Sequence, residues 1–96
     1  MTRAQVLQLL ATSKPELASR FGVTALALFG SVVRDAARAD SDVDVLVSFD
    51  EPATSAQFFG VQFFLEDLLG RPVDLVTDKA LRPELRPFVE REAVRV

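Results

Sequence analysis

Leu28-Phe29-Gly30-Ser31-Val32-Val33-Arg34-Asp35-Ala36-Ala37-Arg38-Ala39-Asp40-Ser41-Asp42-Val43-Asp44-Val45-Leu46-Val47 is the stretch on which the fold turns. An apolar run ends in Gly-Ser, ten mostly small or polar residues follow, and a second apolar run opens with two aspartates that have one residue between them. Side chains alternate faces along a β-strand, so Asp42 and Asp44 emerge on one side while Val43, Val45, Val47 and Phe49 point to the other. Two like charges that close raise at least one pKa unless a cation lies between them. A hard divalent ion such as Mg²⁺, which takes carboxylate oxygens, waters and phosphate oxygens, suits such a pair.

The upstream half fits the same chemistry. Gly30 lets the backbone turn tightly out of a strand over 23–29 and approach a ligand closely. Ser31 is a good N-cap for a helix over about Val32 to Arg38, and free amides at a helix start attract phosphate. Arg34, one turn on, either reaches a phosphate or pairs with Asp35 or Asp40.

Gly30-Ser31, ten residues, then Asp42-Val43-Asp44, with Arg34 and Ala37 in the gap and Ser41 before the first aspartate, resembles the signature of the nucleotidyltransferase superfamily related to DNA polymerase β. The short chain resembles the minimal nucleotidyltransferase (MNT) branch of that superfamily. The resemblance runs from about Val23 to the C-terminus, because Asp74 in Val73-Asp74-Leu75-Val76 stands where the family places a third carboxylate. It implies a catalytic and metal-binding set of Asp42, Asp44 and Asp74 holding two Mg²⁺ ions, with ATP as the substrate. Gly30 and Ser31 would grip the β and γ phosphates, with Arg34 as a further nucleotide contact, and Asp74 would help deprotonate the acceptor. The implied reaction moves AMP from ATP onto a hydroxyl.

The acceptor follows from the same resemblance. MNT proteins are similar to antitoxins paired with small helical HEPN proteins, which are RNases, so the implied acceptor is a tyrosine hydroxyl of a HEPN-type toxin. The alternative is a binding module that neutralises such a partner by occlusion alone.

Composition bounds these readings. Ninety-six residues, 49% of them hydrophobic, fit one domain over 1–96 and leave no room for an added substrate domain. The net charge is −3, made of +3 over residues 1–39, −8 over 40–78 and +2 over 79–96, so diffuse attraction of this chain to nucleic acid is not expected. There is no cysteine and no histidine. That excludes disulfides, thiolate chemistry, a histidine base and a typical zinc site. No apolar run approaches the roughly 20 residues that span a bilayer, and no signal-peptide core is visible, so the cytoplasm is the expected compartment.

Elsewhere the patterns are local. Thr2-Arg3-Ala4-Gln5 is a capping box for a helix over about Arg3 to Thr12. A second box, Ser13 to Glu16 with Pro15 in its first turn, predicts a separate helix through about Arg20 that Gly22 stops. A longer helix over about Ser55 to Leu69, closed by Gly70, turns Phe58, Val61, Phe64, Leu65, Leu68 and Leu69 to one side. Phe59 and Phe63 fall nearly opposite: either the N-terminal helix covers them, or they form an exposed patch for a partner or a second copy of this chain. A third strand covers Val73 to Thr77, with Lys79 just after it as a further candidate contact for nucleotide or acceptor. Residues 81–96 suggest a short helix whose prolines start or interrupt it and whose alternating charges read as a solvated face. The expected architecture is α/β (α+β): a small mixed sheet of at least three strands, 23–29, 43–49 and 73–77, with helices mainly on one face.

Overall fold

The computed structural model describes residues 2–34 and 42–96. Helix α1 (Arg3–Phe21) leads into strand β1 (Val23–Phe29) and a single 3-10 turn at Gly30–Val32. Strand β2 (Val43–Phe49), helix α2 (Ser55–Leu69), strand β3 (Val73–Thr77), helix α3 (Arg86–Glu92) and strand β4 (Val94–Arg95) complete the described elements. The strands form a mixed sheet in the order β3-β2-β1-β4, with β1 antiparallel to β2 and β4, and β2 parallel to β3.

The alternation read in the sequence decides which face is which. Val43, Val45 and Val47 are fully buried beside Leu26, Leu28, Val73 and Leu75, and this face takes the helical layer through Val6, Leu10 and Leu17 of α1 and Val61, Leu65 and Leu69 of α2. Gly60 sets the distance between the two helices: a Cβ there would meet the Phe21 ring at 2.5 Å. Phe64 closes on Phe21 edge to face, at 6.4 Å between centroids, and Arg20 lies over both rings. The other face carries Asp44, Leu46 and Ser48, with α3 and β4 along its rim, and a cleft of about 460 Å³ opens between Leu46, Ser48, Glu90 and Arg95.

Two expectations are corrected, one open alternative is decided and one segment gains an element. The two N-terminal helices are one, running through Pro15, and Ser13 caps nothing: its hydroxyl donates back to the Leu10 carbonyl at 3.1 Å inside the helix. A proline in a helix interior costs about 3 kcal/mol. The buried stripe Val6, Leu10, Ser13 and Leu17 continues across it on one face, so burial of both halves on the same sheet outweighs the break. The first box is present as read, with Thr2 and Gln5 exchanging both capping bonds.

Ser31 is not an N-cap either. It lies inside the 3-10 turn, whose preceding residue Phe29 makes no side-chain capping bond. The remainder of the helix expected over 32–38, with Ala37 and Ser41, lies outside the described residues. Phe59 and Phe63 are not covered by α1: they are 50% and 61% exposed, and their rings stack at 6.4 Å between centroids. The C-terminal segment holds a strand as well as a helix. β4 pairs Val94 and Arg95 with Leu28 and Ala27, and the Lys14 ammonium donates to the Val96 carbonyl at 2.9 Å.

Candidate active site

The site grows from the register between β2 and β3. Asp44 is paired with Asp74 across the parallel ladder, and with Phe29 across the antiparallel one. Neighbouring strands lie about 4.8 Å apart, and paired residues share a face, so the two carboxyls must meet. The Asp74 carboxyl bears directly on that of Asp44, and Asp42 adds its charge from two residues upstream. Burial first, then the negative charge and hydrogen bond of Asp74, then Asp42, push the Asp44 carboxyl up to about 6, against a smaller opposing pull from Arg34.

Gly30 completes the wall on the β1 side. Its φ is +79°, a conformation that side chains disfavour, and a Cβ would collide with the Asp44 carboxylate, the Cγ lying at 2.8 Å. The turn therefore passes directly against the central carboxylate, which only glycine permits. Ser31, half-buried in the next position, follows it at the mouth of the site.

Arg34 is drawn across the same opening. Its Nη1 donates to Glu92 Oε2 at 2.6 Å, while the Gly30 amide donates to Glu92 Oε1 at 2.8 Å. Both contacts hold the Glu92 carboxyl below the usual range, the Arg34 bond more than the Gly30 one. Glu92 is the site neighbour that sequence reasoning missed. It stands 58 residues from Arg34 and 62 from Gly30, and its local pattern was that of a solvated helix face.

The structure thus brings Asp42, Asp44, Asp74, Gly30, Ser31 and Arg34 to one end of the open face. It does not bring Lys79, which lies two residues beyond the far end of β3. Asp74 to the end of β3 at Thr77 alone spans about 10 Å at about 3.3 Å per residue, and Lys79 lies in the turn that follows. Lys79 instead lines a separate groove of about 470 Å³ with Phe49, Thr54, Phe58 and Thr77.

Among the described residues no group of three acidic side chains is already arranged to hold a metal ion. The donor chemistry nevertheless fits one. Asp44 is under repulsion from two carboxyls that all offer hard oxygens, the condition that a divalent cation with water and phosphate oxygens as remaining ligands relieves.

Residues 10–96 match the profile of a family described as the nucleotidyltransferase domain. The chain is 42% identical over 96 residues to the protein adenylyltransferase MntA of Thermococcus cleftensis, covering 100% of this chain and 97% of that protein. A solved structure assigned provisionally as a minimal nucleotidyltransferase superposes with a TM-score of 0.83 at 38% identity, covering 100% of this chain and 97% of the other. A chain from the complex of the tri-AMPylated HEPN toxin of Shewanella oneidensis with its MNT antitoxin superposes with a TM-score of 0.60 over 97% of this chain and 66% of that one. At 19% identity, that last likeness concerns the fold.

Proposed function

As this chain belongs to the nucleotidyltransferase domain family, we propose that it is a protein adenylyltransferase acting, in one 1–96 domain, as the antitoxin of a HEPN-type toxin. It would transfer AMP from ATP onto a hydroxyl of that partner, in the cytoplasm. The observation that carries this reading is Asp44, set in register against Asp74 and wedged on Gly30, with its carboxyl raised to about 6. Repulsion of this kind is costly in a purely structural site and useful in one that binds a cation with a polyphosphate. The 42% identity to an adenylyltransferase over the full chain supports the choice of reaction.

Asp42, Asp44 and Asp74 would hold Mg²⁺, two ions in the reading from the sequence. When bound, the metal supplies positive charge to the oxygens of the triphosphate. Gly30, Ser31 and Arg34 would seat the β and γ phosphates, leaving the α phosphorus in front of the aspartates. The acceptor oxygen forms a bond to the α phosphorus as the bond to the bridging oxygen breaks, and pyrophosphate leaves. With no histidine in the chain, the acceptor's proton passes to the Asp74 carboxylate, which is exposed and adjacent, or to solvent.

One observation favours a second reading, in which the protein silences its partner by occlusion without transfer. Phe59 and Phe63 form a stacked, exposed pair, with Phe58 against Phe59 at 5.4 Å, and such aromatics serve as interface anchors. The same ridge would also serve a homo-oligomer. The two readings separate on incubation with labelled ATP, Mg²⁺ and a HEPN partner. Label on the partner, lost with Asp44→Asn, is the expected result, whereas inhibition of the partner without label would establish occlusion.

A further inference from the structure

The Glu92 carboxylate occupies the two groups that the proposed function assigns to phosphate. One oxygen accepts from the Gly30 amide at 2.8 Å and the other from Arg34 Nη1 at 2.6 Å. A carboxylate bridging a backbone N–H and a guanidinium reproduces the contacts of a phosphate oxygen pair, because both anions offer paired oxygens to the same donors. From this geometry we infer that Glu92 is a resident anion in the nucleotide cradle, which the incoming triphosphate must displace, so that Glu92 limits the affinity for nucleotide. The inference rests on the proposed function and adds a regulatory contact to that site.

Helix α3 is fixed at its start by Arg86, which donates to the Asp78 carboxylate and carbonyl, and is lightly packed towards the end that carries Glu92. Glu92 is the last residue of α3, a helix of seven residues without a fully buried side chain. The chain after it is held to the sheet by the two pairs of β4, Ala27 with Arg95 and Leu28 with Val94, and by the bond from the Val96 amide to the Leu26 carbonyl. Elements with few buried contacts are those that open at low free energy. The Arg34 and Glu92 side chains are 56% and 29% exposed, so water can replace each partner when the pair separates. Once free, Arg34 and the Gly30 amide present two donors to a phosphate, while Glu92 no longer repels it.

The test is equilibrium binding of a non-hydrolysable ATP analogue with Mg²⁺, and separately of inorganic tripolyphosphate, to the full chain and to its Glu92→Gln variant. Glutamine keeps a carbonyl for the Gly30 amide, so the fold is retained while the competing charge is removed. The expected result is tighter binding of both ligands by the variant, by about twofold to fivefold, the scale of an exposed ion pair. Unchanged or weaker binding by the variant, with the unaltered chain binding nucleotide, would overturn the inference and leave the proposed function standing. Weaker binding would make Glu92 a residue that positions Arg34. If neither protein binds either ligand, the proposed function fails, and the inference fails with it.

Discussion

Asp44 and Asp74 sit opposite each other in the parallel ladder of β2 and β3, on the face of the sheet that α1 and α2 leave open. Two acids in register on adjacent strands repel when ionised, and nothing in the local propensity of either strand calls for them.

The first expectation concerns pH. The Asp44 pKa in the fold, about 6, lies above its ordinary 3.8, so the folded chain binds this proton more tightly than the unfolded chain does. Ionisation of Asp44 therefore costs stability, a penalty absent below about 4, growing between about 4 and 6, and complete above. Asp44→Asn should raise the thermal midpoint at pH 8 in metal-free buffer and lose that advantage at pH 4. Paired melts at the two values check it, and an equal gain at both would mean the repulsion is not its source.

Asp42→Asn and Asp44→Asn should each abolish nucleotidyl transfer and leave the far-UV spectrum unchanged, because both side chains lie outside the apolar core. A double variant that still labelled its partner would exclude a metal site built on these residues.

Gly30→Ala should be costly on two counts. A left-handed φ of +79° costs a non-glycine residue about 1–2 kcal/mol, and the new methyl must also push Asp44 aside. Denaturant unfolding should show a loss of at least about 1 kcal/mol. Transfer should fall further than stability explains, since the displaced carboxylate is the central one.

Phe59→Ser combined with Phe63→Ser should shift stability by no more than about 0.5 kcal/mol per site, the usual scale of exposed substitutions. Removing a phenylalanine from a core instead costs about 3–5 kcal/mol. Half-exposed rings put these two in the first class, and a thermal melt distinguishes the cases. Association with a HEPN-type partner, or of the chain with itself, should weaken in a sedimentation or binding assay.

Much of this molecule is local, and its local part could be read from residues alone. The capping boxes at Thr2 and Thr54 follow short-range rules, each joining residues three apart in the chain. Strand boundaries 23–29, 43–49 and 73–77, the helix over 55–69, and the placing of Asp42 and Asp44 opposite three buried valines depend only on a period of two or of 3.6 residues. Asp74 was legible by resemblance to a family pattern, whereas its register with Asp44 belongs to strand pairing.

The tertiary structure decided what depends on contacts between distant residues. Pro15 and Ser13 carry real helix-breaking and capping propensity, overridden because a continuous stripe from Val6 to Leu17 is buried on one sheet. Strand β4 is two residues long and exists only by pairing with β1, so no periodicity marks it. Whether Phe59 and Phe63 were covered depended on where α1 lay, which no pattern within α2 encodes. Glu92 is the clearest case: in sequence it is one charge among several on a short helix, and only the return of the chain along β1 sets it on Gly30 and Arg34. The sequence by itself determined the three longer strands, the helix over 55–69, the buried face and the placing of Asp42 and Asp44 on one side, because those are properties of neighbours along the chain. Register, coverage and the occupant of the cradle needed the fold, because burial and ion pairing act between residues that meet only once it has formed.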